Sequence, residues 1–270
     1  MNENFLIKKR LGQNFLKNGN ICRKIVQAAN VNGGAVLEIG PGFGVLTREL
    51  LKRADKVVAV EKDKDLIPVL RETFINEPKL HILHGDFLEL NLEEIVKENL
   101  KYGSFKVCAN VPYYITSPII VKILKCRLNI ESVTLMLQKE AAARICAPPG
   151  NRNCGAISIF VRYFAVPQML FEVSRGNFFP KPQVDSAVIK LCANLERPHV
   201  KNEANFFRLV RAAFSQRRKM LINPISSEFK IKKIILEDIL KKLCICSKLR
   251  AEHLTLNQFI SIANMLEDVI

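Results

Sequence analysis

Apolar positions in the first half of the chain fall into two alternating rhythms. Short, nearly unbroken apolar runs occupy 35–39, 56–60, 80–83, 105–109 and 132–137. They are too short for helices and read as buried strands. Between them the spacing lengthens to that of a helix. Ile21, Ile25, Val26 and Ala29 mark one helix over 20–31, ended by Gly33-Gly34. Similar segments cover 43–53, 63–74 (with Asp63 as a candidate cap), 92–99 and 118–124. Strands that alternate with helices predict a parallel sheet covered on both faces. Right-handed crossovers then bring every strand's C-terminal end to one edge, where ligands bind in such sheets.

After residue 140 the rhythm changes. Residues 168–173 and 186–191 read as further strands, a candidate antiparallel hairpin at the sheet edge. Residues 195–202, with Pro198, read as a linker. Segments 206–214, 234–243 and 256–266 have helical spacing and predict a small all-helical domain.

Length and composition narrow the class. A chain of 270 residues, 49% hydrophobic, can bury a proper core. No apolar run approaches the roughly 18 residues of a membrane span. Lys8, Lys9 and Arg10 precede no apolar stretch, so no secretory signal is expected. The eight cysteines show no regular spacing and are expected to be reduced and buried, as in a cytoplasmic protein. Cys244-Ile245-Cys246 has no second pair, so no metal site is expected. The net charge of +15 favours a polyanionic partner. From Lys190 onward, 15 Lys and Arg face 8 Asp and Glu; the 189 residues before it hold 26 against 18. The C-terminal part is thus more than twice as positive per residue.

Four polar residues, Glu38, Glu61, Asp86 and Asn110, each sit at or just beyond a predicted strand end. Glu38 opens the turn Glu38-Ile39-Gly40-Pro41-Gly42-Phe43-Gly44. Its glycines let the backbone bend sharply and approach a ligand closely. Glu61 follows Gly44 by 17 residues. An acid at roughly 20 residues accepts hydrogen bonds from ribose hydroxyls. A carboxylate at Glu38 would repel the phosphates of a dinucleotide but suits a sulfonium and an ammonium. That tilts the cofactor toward S-adenosylmethionine. Asp86 is placed for an adenine amine, with Phe87 packing on the base; a helix cap is its other reading.

Asn110-Val111-Pro112-Tyr113 suits a flat amine. The Asn110 side chain and the Val111 or Pro112 carbonyl can accept its two hydrogens, and Tyr113 can stack on its ring. The stiff loop Phe178-Phe179-Pro180-Lys181-Pro182 offers Phe179 to the base's other face. Arg217, Arg218 and Lys219 follow Phe214 in a basic cluster suited to phosphates. Together these point to methyl transfer onto a nucleobase.

These motifs resemble the ribosomal RNA adenine dimethyltransferases. The resemblance is carried by Leu11-Gly12-Gln13-Asn14-Phe15-Leu16, the Glu38–Gly44 turn, Asn110–Tyr113, Phe179-Pro180-Lys181-Pro182-Gln183-Val184-Asp185-Ser186-Ala187 and Phe214–Lys219, in the family's order. It implies an α/β, Rossmann-like S-adenosylmethionine-dependent methyltransferase sheet over 1–195 and a helical RNA-binding domain over 196–270. It implies cofactor contacts at Asn14, Leu16, Gly40, Glu61, Asp86 and Asn110; read directly, Asn14 and Leu16 lie only in a polar loop before a helix. It implies dimethylation of two adjacent adenosines near the 3′ end of 16S rRNA in the small ribosomal subunit, by a cytoplasmic monomer. A macrolide-resistance 23S rRNA methyltransferase is the alternative within the family. Val184–Leu191 and Phe214–Lys219 look like the small-subunit branch. A non-catalytic ribosome assembly factor is the alternative outside it; an intact Asn110–Tyr113 segment argues for catalysis.

Overall fold

Each apolar run becomes a strand and each amphipathic segment a covering helix in the computed structural model, which describes residues 8, 11–100, 103–194 and 198–270. The chain opens with β1 (Phe15–Leu16), α1 (Gly19–Ala28), β2 (Ala35–Ile39), α2 (Val45–Leu51), β3 (Lys56–Glu61), α3 (Leu66–Thr73) and β4 (Leu80–His84). It continues through α4 (Leu92–Ile95), extended by a π-turn over Val96–Leu100, to β5 (Phe105–Asn110), α5 (Thr116–Lys125) and β6 (Ile130–Gln138). Then come α6 (Lys139–Cys146), α7 (Ala156–Phe164), β7 (Ala165–Val173), β8 (Phe178–Phe179) and β9 (Ser186–Ala193). The remainder is α8 (Glu203–Ser215), α9 (Ile222–Phe229), α10 (Lys233–Lys242) and α11 (Leu256–Glu267). The sequence pattern did not separate α6, α7 or α9.

Seven strands form one sheet in the order β4-β3-β2-β5-β6-β9-β7. The first five are parallel; β9 joins β6 antiparallel. As expected, β7 and β9 lie together at one edge. From β2 the chain builds outward through β3 and β4, then returns to lay β5 and β6 on the other side. The gap between the ends of β2 and β5 is therefore the topological switch point, where such sheets hold ligands. Burial explains the choice of strands: β2 is buried at all five positions and β3 at five of six. Ile25, Val36, Leu50, Val57 and Cys108 are among the residues that fill the core between sheet and helices.

The chain divides into two compact units. One comprises Met1–Ala142 with Pro167–Ala193; the other comprises Ala143–Val166 with Asn194–Ile270. The sequence division at 195/196 thus leaves 143–166 on the wrong side of the observed break. The reason is an aromatic cluster. Phe160 and Tyr163 of α7 pack on Phe206 and Phe207 of α8, with ring centroids 5.0–5.4 Å apart. In the helical unit α8 starts at an Asn202 side-chain cap, and α11 at a Thr255/Gln258 capping box. Leu195 to Arg197 of the expected linker lie outside the described residues. Among those residues, no helix is long and apolar enough to cross a membrane.

The cysteines are all free, but only Cys22, Cys108 and Cys154 are buried. Cys244 and Cys246 are exposed, against the expectation of burial. No group of three His, Cys, Asp or Glu is placed to hold a metal ion among the described residues.

Candidate active site

A cleft of about 1110 Å³, mouth included, opens at the switch point. Asn14, Leu16, Glu38, Gly40, Gly42, Glu61, Asp86, Phe87, Asn110, Pro112 and Tyr113 all line it, although they come from five separate stretches of chain. Phe179 does not. The glycine turn explains part of the opening. Gly44 has φ +77°, and a β-carbon there would sit 2.4 Å from the Phe74 ring, so this glycine serves packing. Gly40 has φ +69° and would meet nothing within 4 Å. Its bare backbone therefore leaves the space that a ligand can approach.

The acids divide by their partners. Glu61 is 7% exposed and fully engaged: it accepts the Gly42 N–H at 3.0 Å and the Asp63 N–H at 2.8 Å. Burial raises its pKa, and the backbone donors oppose that. It therefore braces the glycine turn while lining the cleft. Asp86 accepts from Lys62 Nζ at 2.5 Å and from the Leu88 N–H at 2.9 Å. Burial pushes its pKa up, but Lys62 and the Leu88 N–H outweigh it and hold the carboxyl below its usual range. Asp86 is not the helix cap of its other reading, since Asn91 caps α4; it bonds across a local turn and still lines the cleft.

Glu38 differs from both. It is fully buried, and neither carboxylate oxygen has a hydrogen-bond partner. Burial pushes its pKa up to about 8; the Thr47 hydroxyl works against that and the Glu61 charge with it. Thr47 Oγ1 is close enough to act electrostatically, yet it too forms no hydrogen bond.

Asp63 corrects an expectation. It does not cap α3; Asp65 stands at that N-cap. Asp63 is instead a buried anchor for the segment before β1. It accepts from Lys8 Nζ and, at 2.6 Å, from Gln13 Nε2. The Leu11–Leu16 segment, read as a polar loop, is thereby fixed over the cleft. Its last two residues form β1 and pair with β8, Phe15 opposite Phe179 and Leu16 opposite Phe178. The hint in the sequence was a second acid two residues after Glu61.

Asn110 ends β5 with Nδ2 donating to the Asn14 carbonyl at 3.1 Å. That bond orients the amide and leaves Oδ1 without a protein donor among the described residues. The Pro112 carbonyl accepts the Ile115 N–H at 3.2 Å, whereas the Val111 carbonyl takes no backbone hydrogen bond among the described residues. Of the two candidate acceptors, Val111 is the free one. The Tyr113 hydroxyl bonds Ser186 Oγ at 2.8 Å, which fixes the ring. Phe179 is 48% exposed and reaches the cleft only through its pairing with Phe15, itself a lining residue. Phe179 thus stands exposed beside a wall of the cleft.

In the helical unit the basic cluster splits. Arg217 Nη2 donates to the Arg152 carbonyl at 2.6 Å and the Cys154 carbonyl at 3.1 Å, with Glu252 3.6 Å away. It ties a turn down while its side chain stays exposed. Arg218 and Lys219 remain as exposed cations.

Comparison with known proteins decides the family. A profile of the ribosomal RNA adenine dimethylase family matches residues 4–268. The chain belongs to that family. A relative from Alkaliphilus oremlandii, named ribosomal RNA small subunit methyltransferase A, is 42% identical over 97% of this chain and 92% of its own. Among solved structures, a dimethyladenosine transferase from Plasmodium falciparum is similar with TM-score 0.76 and 29% identity, over 92% of this chain and 95% of that one. The 23S rRNA methyltransferase ErmE is similar with TM-score 0.71 and 25% identity, over 94% and 100%. This member of the rRNA adenine dimethylase family is an S-adenosylmethionine-dependent methyltransferase with a Rossmann-like sheet. The cleft fits that cofactor on its own evidence. An unpaired buried carboxylate at Glu38 calls for a cation, and the bare backbone at Gly40 leaves space for one to approach.

Proposed function

We propose that this rRNA adenine dimethylase methylates the exocyclic amines of two adjacent adenosines near the 3′ end of 16S rRNA, in the small subunit or its precursor. It does so as a cytoplasmic monomer. The observation that carries the chemistry is the pair of free acceptors at the end of β5: Asn110 Oδ1, with its amide turned by Asn14, and the Val111 carbonyl. Two acceptors suit the two hydrogens of one amine. They would hold the nitrogen lone pair toward the methyl donor. Tyr113, held by Ser186, offers a face for the unstacked base. Asn14, Leu16, Gly40, Gly42, Glu61 and Asp86 would hold the cofactor with Glu38, from the cleft wall they share. Bound S-adenosylmethionine supplies an electrophilic methyl group. The protein needs no strong base, since a methylated amine that has become cationic sheds its proton to water readily.

The choice of subunit rests on likeness. Identity is 42% to a relative named for the small subunit and 25% to a 23S rRNA enzyme. Arg217, Arg218 and Lys219 would contact RNA phosphates, and Phe179 would offer its exposed ring to the other face of the target base. The deciding experiment is transfer of labelled methyl groups to purified small and large subunits lacking these modifications, with the modified nucleotides mapped. Dimethyladenosine at two adjacent small-subunit positions is expected. A single modified adenine in the large subunit would move the chain to the other branch.

A further inference from the structure

Glu38 and Glu61 end neighbouring strands and line the same cleft, yet they are treated oppositely. Two backbone N–H groups stabilise a charge on Glu61. No backbone N–H does so for Glu38, which is completely buried with both oxygens unpartnered. A lone charge in that position is strongly disfavoured, and the group keeps its proton instead. The Thr47 hydroxyl of α2 favours the charge but does not offset the cost of burial, and Glu61 of β3 adds negative charge. Cys22 of α1 and Cys108 of β5, both also near Glu38, have thiols pushed up to about 12, by burial first and the Glu38 charge second. Both stay uncharged. No cation of the described protein acts on Glu38.

We propose that Glu38 is a proton-releasing cofactor ligand: it is neutral in the cofactor-free protein and loses its proton to solvent when the cationic cofactor enters the cleft. The inference rests on the S-adenosylmethionine reading and extends it. The cofactor's positive charge supplies the partner that the protein withholds. Binding then proceeds with release of one proton. Affinity rises close to tenfold per pH unit below about pH 8, where the empty site holds its proton, and levels off above it. An acid left unpaired in this way also selects against anionic ligands, since those would find a neutral group and gain nothing.

Calorimetry tests this on the full-length protein. S-adenosylmethionine is titrated at pH 6.5, where the ligand's own ammonium is charged, in two buffers of different ionisation enthalpy. About one proton released per site is expected, and none with Glu38→Gln. Binding without proton release in the unaltered protein would overturn the proposal and leave the cofactor reading standing. So would release that persists in Glu38→Gln, which would assign the proton to Glu61. Absence of binding heat would overturn the cofactor reading itself, and the proposal with it. A second measurement needs no ligand. The unfolded chain ionises Glu38 near 4.5, whereas the native chain holds the proton to about 8. Native protein binds more protons in that window, so stability falls as pH rises through it. Glu38→Gln should melt above the unaltered protein at pH 8, with the gap closing toward pH 5. Parallel melting curves at all pH values would overturn the proposal.

Discussion

The two units of this chain bury different things. Of the ten buried polar or charged residues among those described, eight lie in the sheet unit, including all three acids, Glu38, Glu61 and Asp63. The helical unit buries two serines, and its core is otherwise apolar and aromatic, with Phe206 and Phe259 fully enclosed. Its charges stay outside, on residues such as Arg218 and Lys219. Buried polar groups are costly unless paired, and a fold tolerates them where a ligand completes them. The contrast places chemistry at the strand ends of one unit and leaves the other as a stable carrier of positive charge.

The hardest test of that contrast is Asn110→Ala. It should reduce methyl transfer by at least about 10²–10³-fold, the range for losing one oriented polar group in an active site. RNA affinity, measured by filter binding, should stay nearly unchanged. Equal loss of both would make Asn110 structural and erase the division of labour.

Within the glycine turn, packing and ligand access separate. Gly44→Ala forces a β-carbon against Phe74 at positive φ and should destabilise by on the order of 2–4 kcal/mol. Gly40→Ala meets no atom and should lose only about 1–2 kcal/mol from its backbone. Yet it should weaken S-adenosylmethionine binding by about tenfold or more. Thermal melts and cofactor titration read the two effects separately. A larger melting loss at Gly40 than at Gly44 would contradict the assignment.

The helical unit allows a similar separation. Arg217→Ala removes two charged hydrogen bonds to carbonyls and should lower stability by about 1–3 kcal/mol, read by denaturant unfolding. Arg218→Ala with Lys219→Ala should leave stability within about 0.5 kcal/mol. The double variant should flatten the dependence of log K for RNA on log salt by roughly 1–2 units, since each lost phosphate contact contributes about 0.7–0.9. An unchanged slope would remove the phosphate role from this cluster.

Much of the sheet unit was legible in the residues. Apolar runs marked the five parallel strands within a residue or two. Of these, β2, β3, β5 and β6 are largely buried, which leaves little room for polar side chains, whereas β4 at the sheet edge has no buried position. Glycine spacing and strand-end acids marked one wall of the cleft. The helical unit was less legible. Its helix α7 is separated from the others in sequence by β7, β8 and β9, and no local pattern announces that Phe160 and Tyr163 will pack on α8.

By itself, then, the sequence determined the alternation of strands and helices, the edge on which polar groups collect, and the positive charge of the second half. Each is a local or summed property of residues. Only the tertiary structure decided which groups are already satisfied. It turned Asp63 from a cap into an anchor and gave Arg217 two backbone carbonyls to hold. It gave the Pro112 carbonyl a backbone partner but the Val111 carbonyl none among the described residues, and left both Glu38 oxygens unpartnered. Hydrogen-bond satisfaction depends on neighbours brought from distant parts of the chain, such as the Asn14 carbonyl on Asn110, 96 residues away in sequence. No reading of spacing can supply that.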